Sequence, residues 1–115
     1  MNKRAVGAGY EERAASHLGG MGYQIVCRNY RTRIGEIDLV AFHQGYLVFI
    51  EVRYRASDAS GSASESVNTR KQQTIIRVAK WYLMEQHIPE STPVRFDVVA
   101  IDGGKVEVIQ DAFWA

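Results

Sequence analysis

The chain has 115 residues, 46% of them hydrophobic and 23% charged, with a formal net charge of +1 at pH 7. That length fits one domain, residues 1–115, with a core of useful size, and the composition is ordinary for a globular protein. No apolar run approaches the roughly 18 residues of a membrane span, residues 1–7 hold no apolar segment long enough for a secretory signal, and the lone Cys27 excludes an internal disulfide or a cysteine metal cluster, so the expected setting is reduced and cytoplasmic, with no membrane partner.

The first predicted element is a helix from about Gly9 to Leu18, ended by Gly19-Gly20. Ala14, Ala15 and Leu18 follow Glu11 at helical spacing, so Glu11 belongs to the apolar stripe, while Glu12 sits to its side. A short strand follows near Tyr23–Arg28, then a polar, basic turn over 29–35. Next come two apolar runs, Glu36–Phe42 and Tyr46–Arg53, that carry carboxylates where a buried sheet should carry none. With Gln44-Gly45 as a two-residue turn, His43 faces Tyr46, Asp38 faces Glu51 and Glu36 faces Arg53. Opposed side chains have Cβ atoms roughly 4.5–5.5 Å apart, where like charges repel. A divalent cation is the natural partner for such a pair. By strand parity Glu36, Asp38, Glu51 and Arg53 share one face, and Ile37, Leu39, Ala41, Val48, Ile50 and Val52 make a core set on the other. Glu36 opposite Arg53 reads as a cross-strand salt bridge.

Residues 56–66 have the composition of a flexible loop, expected to close over a substrate. A long helix then runs from Asn68 or Thr69 to His87, burying Ile75, Ile76, Ala79, Tyr82 and Leu83. Pro89 and Pro93 bracket its exit. Strands are expected at Val94–Ile101 and Lys105–Ile109, joined by Asp102-Gly103-Gly104. The order α-β-β-β-α-β-β predicts an α/β fold: one mixed sheet flanked by helices, with a parallel crossover through the long helix.

Charge is uneven along the chain. Residues 28–80 hold nine basic and five acidic groups, and residues 81–115 two and six. The basic middle points towards a polyanionic partner. Arg28, Arg31, Arg33, Arg55, Arg70 and Lys71 are the candidate phosphate contacts, against the alternative of ordinary surface charge. Tyr30 and Tyr54 interleave with them as candidates for base stacking, packing being the commoner role. Three carboxylates, Glu11, Asp38 and Glu51, converging from different elements would make a hard-oxygen site suited to Mg²⁺ or Mn²⁺. Such an ion polarises a phosphoryl oxygen and activates water, and Arg53, on the face of Glu51, could stabilise developing charge. Asp97 in an apolar strand reads as a structural partner. His17, His43 and His87 show no ligand spacing. Trp81 and Trp114 read as core or interface residues.

The stretches Gly35-Glu36-Ile37-Asp38-Leu39-Val40, Val48-Phe49-Ile50-Glu51-Val52-Arg53-Tyr54-Arg55 and Arg95-Phe96-Asp97-Val98-Val99 resemble the YraN family of uncharacterised bacterial proteins over nearly the whole chain. That family in turn resembles the restriction-endonuclease-like superfamily, with its Asp…Glu-x-Lys signature, and within it the Holliday-junction resolvases. The resemblance implies an αβββαβ core and metal-dependent hydrolysis of DNA phosphodiesters, with branched or single-stranded DNA as the candidate substrate. It matches Glu11, Asp38 and Glu51 to the metal-binding acids and Arg53 to the signature lysine. By analogy with the resolvases alone it implies a homodimer. Arginine stays protonated at any relevant pH and is a poor base. A nucleic-acid-binding module that keeps the fold without efficient catalysis is therefore the alternative. A third reading is a small scaffold whose acids only tie the sheet to a cation.

Overall fold

The computed structural model describes residues 3–55 and 67–115, with side chains for 9–54 and 67–115. The expected loop 56–66 and the side chain of Arg55 lie outside the described residues. The elements are α1 (Lys3–Gly20), β1 (Gln24–Thr32), β2 (Gly35–His43), β3 (Tyr46–Arg55), α2 (Thr69–Glu85), β4 (Val94–Asp102) and β5 (Lys105–Phe113). The five strands form one mixed sheet in the order β1-β2-β3-β4-β5. Only β3 and β4 run parallel, across the α2 crossover. The expected α/β architecture is what forms.

The Gln44-Gly45 turn sets the register of the β2–β3 hairpin. Both residues have positive φ, 51° and 84°, as a right-twisted two-residue hairpin requires. His43 pairs with Tyr46, and the ladder continues to Leu39 with Ile50. It ends there, one step before Asp38 and Glu51. The Val52 N–H instead donates to Asp38 Oδ2 at 2.8 Å.

Two cores form, one on each face of the sheet. Ala14, Ala15 and Leu18 of α1 cover Leu39, Ala41, Val48, Ile50, Val99 and Ile101. Ile75, Val78, Ala79 and Tyr82 of α2 cover Val40, Leu47, Phe49, Phe96 and Val98. Burying each large aliphatic side chain stabilises the fold by about 1.5–3 kcal/mol. Asn68 caps α2 by accepting the Lys71 N–H, an arrangement typical of helix N-termini.

Several sequence expectations need correction. The basic turn at 29–35 is mostly strand: β1 continues to Thr32, and only Arg33 and Ile34 turn. Asn29, opposite Asp38, adopts φ 54° and drops out of the pairing. Simple alternation fails at that point, so Ile37 joins the α2-side core while Leu39 joins the α1-side core. Strand β5 likewise runs on to Phe113, past an irregularity where Asp111 has φ 55°. Of the two roles read for Trp81 and Trp114, core or interface, exposures of 51% and 75% remove the core.

Gly35 is held by a close approach. A Cβ there would stand 2.8 Å from Thr74 Cγ2 and 3.5 Å from Val78 Cγ2. Thr74 cannot simply rotate away, because its hydroxyl donates to the Arg70 carbonyl. Gly35→Ala is expected to cost about 1–3 kcal/mol in urea unfolding. Adding Thr74→Ser, which removes the opposing methyl, should restore most of it; no recovery in the double variant would place the conflict elsewhere.

Candidate functional site

The hairpin delivers Asp38 and Glu51 to the same place, and both are buried, at 8% and 5% exposure. Burial is the first cause of their behaviour. It disfavours the charged carboxylates and raises both pKa values; Asp38 is pushed up to about 8, with the Glu51 charge adding to the effect and the Val52 N–H opposing it. Glu51 is raised by burial and held back by the cations Lys71 and Arg53. Both cations stand 3.7 Å from Glu51 Oε1: Arg53 Nη1 from the same strand and Lys71 Nζ from the first turn of α2. Two acids with elevated proton affinity, flanked by two cations, are an arrangement associated with functional sites more than with passive surface.

Glu11 stands further out. Its pKa is raised by partial burial, opposed by a hydrogen bond with Asn29, and further raised by Glu36. Its charge reaches Asp38 only as a lesser contribution. Among the described residues, no three His, Cys, Asp or Glu side chains close into a group able to hold an ion. The structure thus brings Asp38 and Glu51 together and sets Glu11 beside Asn29 and Glu36. Glu36 itself does not bridge to Arg53. It pairs with Arg31 across β1–β2, with Arg31 Nε 2.8 Å from its Oε2, because β1 occupies the neighbouring position that the sequence pattern had given to a turn.

The donor set fits a hard divalent ion. It offers carboxylate oxygens without thiol or imidazole, and Mg²⁺ is commonly held by one or two carboxylates with water and substrate phosphate completing its shell.

The uncharacterised protein family UPF0102 matches residues 10–101. A UPF0102 protein of Lachnoclostridium phytofermentans is 48% identical over 113 residues, covering 98% of this chain and 96% of its own. The chain belongs to the UPF0102 family. A UPF0102 protein of Saccharophagus degradans is 47% identical over 100 residues, 87% of this chain and 85% of the relative. One of Serratia proteamaculans is 42% identical over 114 residues, 98% and 97%. This is the YraN-like group that the sequence resembles.

The other candidate residues of this UPF0102 chain divide. Arg28 is paired with Glu12, and Arg31 with Glu36. Arg33 and Arg70 are exposed. Lys71, a candidate phosphate contact in the sequence, stands 3.7 Å from Glu51 and so belongs with the acidic pair. Nothing local in the sequence signals this, since the approach depends on how α2 packs. Asn29 was also missed; an isolated Asn inside a strand is the weak signal that could have marked a positive-φ position. Tyr54 stacks on Tyr10, with ring centroids 4.0 Å apart, and Tyr30 packs edge-on to Tyr82. Asp97 is the structural partner expected: it is fully buried and accepts from Arg95 and Tyr23. His43 stacks on Tyr23 and hydrogen-bonds Arg95. No described helix is long and apolar enough to cross a membrane.

Proposed function

We propose that this protein is a metal-dependent nuclease that hydrolyses phosphodiesters, with DNA as substrate and branched or single-stranded forms as the preferred targets. The observation that carries the reading is the buried Asp38–Glu51 pair on one hairpin, with Lys71 and Arg53 beside it. The order helix, three strands, helix, strand also agrees with the restriction-endonuclease-like arrangement suggested by sequence resemblance. Asp38 and Glu51 would hold Mg²⁺ or Mn²⁺, and Glu11 would add negative charge from α1. The ion would supply Lewis acidity towards a phosphoryl oxygen and an activated water. The Val52 N–H orients Asp38. Arg53, fixed in charge, would stabilise the negative charge that develops on the phosphoryl group. Lys71 places a second cation against Glu51.

A labelled single strand or four-way junction incubated with Mn²⁺ or Mg²⁺ should be nicked, and chelator should stop the reaction. Glu51→Gln should lower the rate by about 100-fold or more. Absence of cleavage with any divalent ion, in a preparation that binds the same DNA, would reject the nuclease and leave a binding module. That second reading draws support from Arg53, which cannot take a proton from water where a lysine could.

A further inference from the structure

Beside the tip of the β1–β2 hairpin lies a second feature that the acidic pair does not use. A cavity of about 580 Å³ opens between the hairpin turn and α2, within the roughly 300–1,000 Å³ of small-ligand clefts. Its lining is mainly apolar: Ile34 on the hairpin side and Trp81 on the helix side are 48% and 51% exposed. Tyr30 forms part of the wall, and its hydroxyl donates to Glu85 at 3.2 Å. Arg31 is paired to Glu36, whereas Arg33 has no ion-pair partner among the described residues. The lining therefore combines aromatic surface, a carboxylate acceptor on the helix wall and an available guanidinium on the hairpin wall. A free phosphate would meet Glu85 and bury no apolar surface. A flat heterocycle carrying amino donors and a phosphate satisfies all three.

Resting on the nucleic-acid reading above, we propose that this pocket takes one unpaired nucleobase of a bound strand, stacked on Trp81, with its phosphate on Arg33. Helix α2 connects the pocket to the acidic pair. Lys71 lies ten residues before Trp81 on that helix, about 15 Å at 1.5 Å per residue. Thr74 and Val78 in between stand against Gly35 of the hairpin. A strand engaged at Asp38 and Glu51 thus reaches the pocket within a few nucleotides. The pocket selects for single-stranded character near the point of cleavage, because a base inside a duplex cannot enter it.

The test uses the full chain with Trp114→Phe, so that Trp81 is the only indole emitter, in chelator so that no strand is cut. A mixed-sequence single strand carrying a terminal dye reports binding by anisotropy while Trp81 emission is followed. Saturable quenching of Trp81 over the same concentration range is expected, with duplex of equal length leaving the emission unchanged. Trp81→Ala and Arg33→Ala should each weaken single-strand binding about tenfold without altering circular dichroism. Binding seen by anisotropy with unchanged Trp81 emission and unweakened Trp81→Ala would overturn the pocket and leave nucleic-acid binding standing. Equal quenching by duplex would overturn its preference for an unpaired base. No anisotropy change with either DNA would remove the nucleic-acid reading and the pocket with it.

Discussion

Asp38→Asn is expected to abolish divalent-dependent cleavage while making the protein more stable at alkaline pH. The amide keeps an oxygen to accept the Val52 N–H, so the hairpin remains intact; alanine would leave that donor unpaired at a cost of about 1–3 kcal/mol. What asparagine removes is a buried acid whose ordinary pKa of 3.8 is raised to about 8, first by burial and then by the Glu51 charge. The sign follows from proton linkage. Between about pH 4 and pH 8 the folded protein retains a proton that the unfolded chain has released, so stability falls as pH rises through that window. Wild-type melting temperature should therefore decline from pH 5 to pH 8 without divalent ion. Asp38→Asn should decline less and exceed the wild type at pH 8 by about 5 °C or more. Millimolar Mg²⁺ should raise the wild-type melting temperature at pH 8 and leave the variant nearly unchanged, since only the wild type would keep both carboxylates of the proposed site. Cleavage should drop about 100-fold or more. A variant that cuts at the wild-type rate would remove Asp38 from the chemistry, and a flat wild-type pH profile would contradict its raised pKa.

The second large effect belongs to Asp97, on the α1 side of the sheet. Asp97 is fully buried and accepts from four donors: Tyr23 Oη at 2.6 Å, Arg95 Nε and Nη2 at 2.9 and 2.8 Å, and the Asp111 N–H at 2.9 Å. The network extends to His43 and Gln110. Burial and the bond to Asp97 push the Tyr23 hydroxyl up to about 12, so it stays a neutral donor. Asp97→Ala would strand the Arg95 guanidinium, itself 7% exposed, and should cost about 3–5 kcal/mol in urea unfolding. Replacing Arg95 by Met in the same chain should recover much of the loss, because the uncompensated charge rather than the missing contact dominates. If the double variant is less stable than Asp97→Ala alone, packing by Arg95 is the larger contribution. This network, rather than the acidic pair, joins β4, β5 and the entry to β1.

Much of this architecture was legible because the sequence is locally consistent. Gly45 after a polar residue marked a hairpin turn, and that turn fixed the pairing down to Leu39–Ile50. The helical spacing of Ile75, Ala79 and Tyr82 marked the buried face of α2. What escaped was where backbone dihedrals depart from the regular strand. Asn29 and Asp111 both enter positive φ inside strands, and alternation patterns cannot register such a residue. The first lies opposite Asp38, on either side of which Ile37 and Leu39 part to opposite cores, while Glu36 meets Arg31 because β1 runs on to Thr32. The second concealed the last residues of β5. At the site, Asp38 and Glu51 were readable because two carboxylates interrupted apolar runs. Lys71 was not, because its approach to Glu51 is a tertiary consequence of α2 packing. Glu11 was legible on the apolar stripe of α1, but its nearer neighbours, Asn29 and Glu36, belong to the part of β1 and β2 where the sequence pattern read a turn over 29–35.

The two-residue connection between β2 and β3 leaves no slack. One residue inserted at Gln44-Gly45 and not absorbed by a wider turn would slide the second strand by a single step, and side-chain alternation would then turn Glu51 away from Asp38. The length of that link is therefore a harder constraint on the protein's descent than the identity of its residues, provided their dihedrals can be met. Substitutions there cost stability, whereas an insertion that shifts the register would take the acidic pair apart.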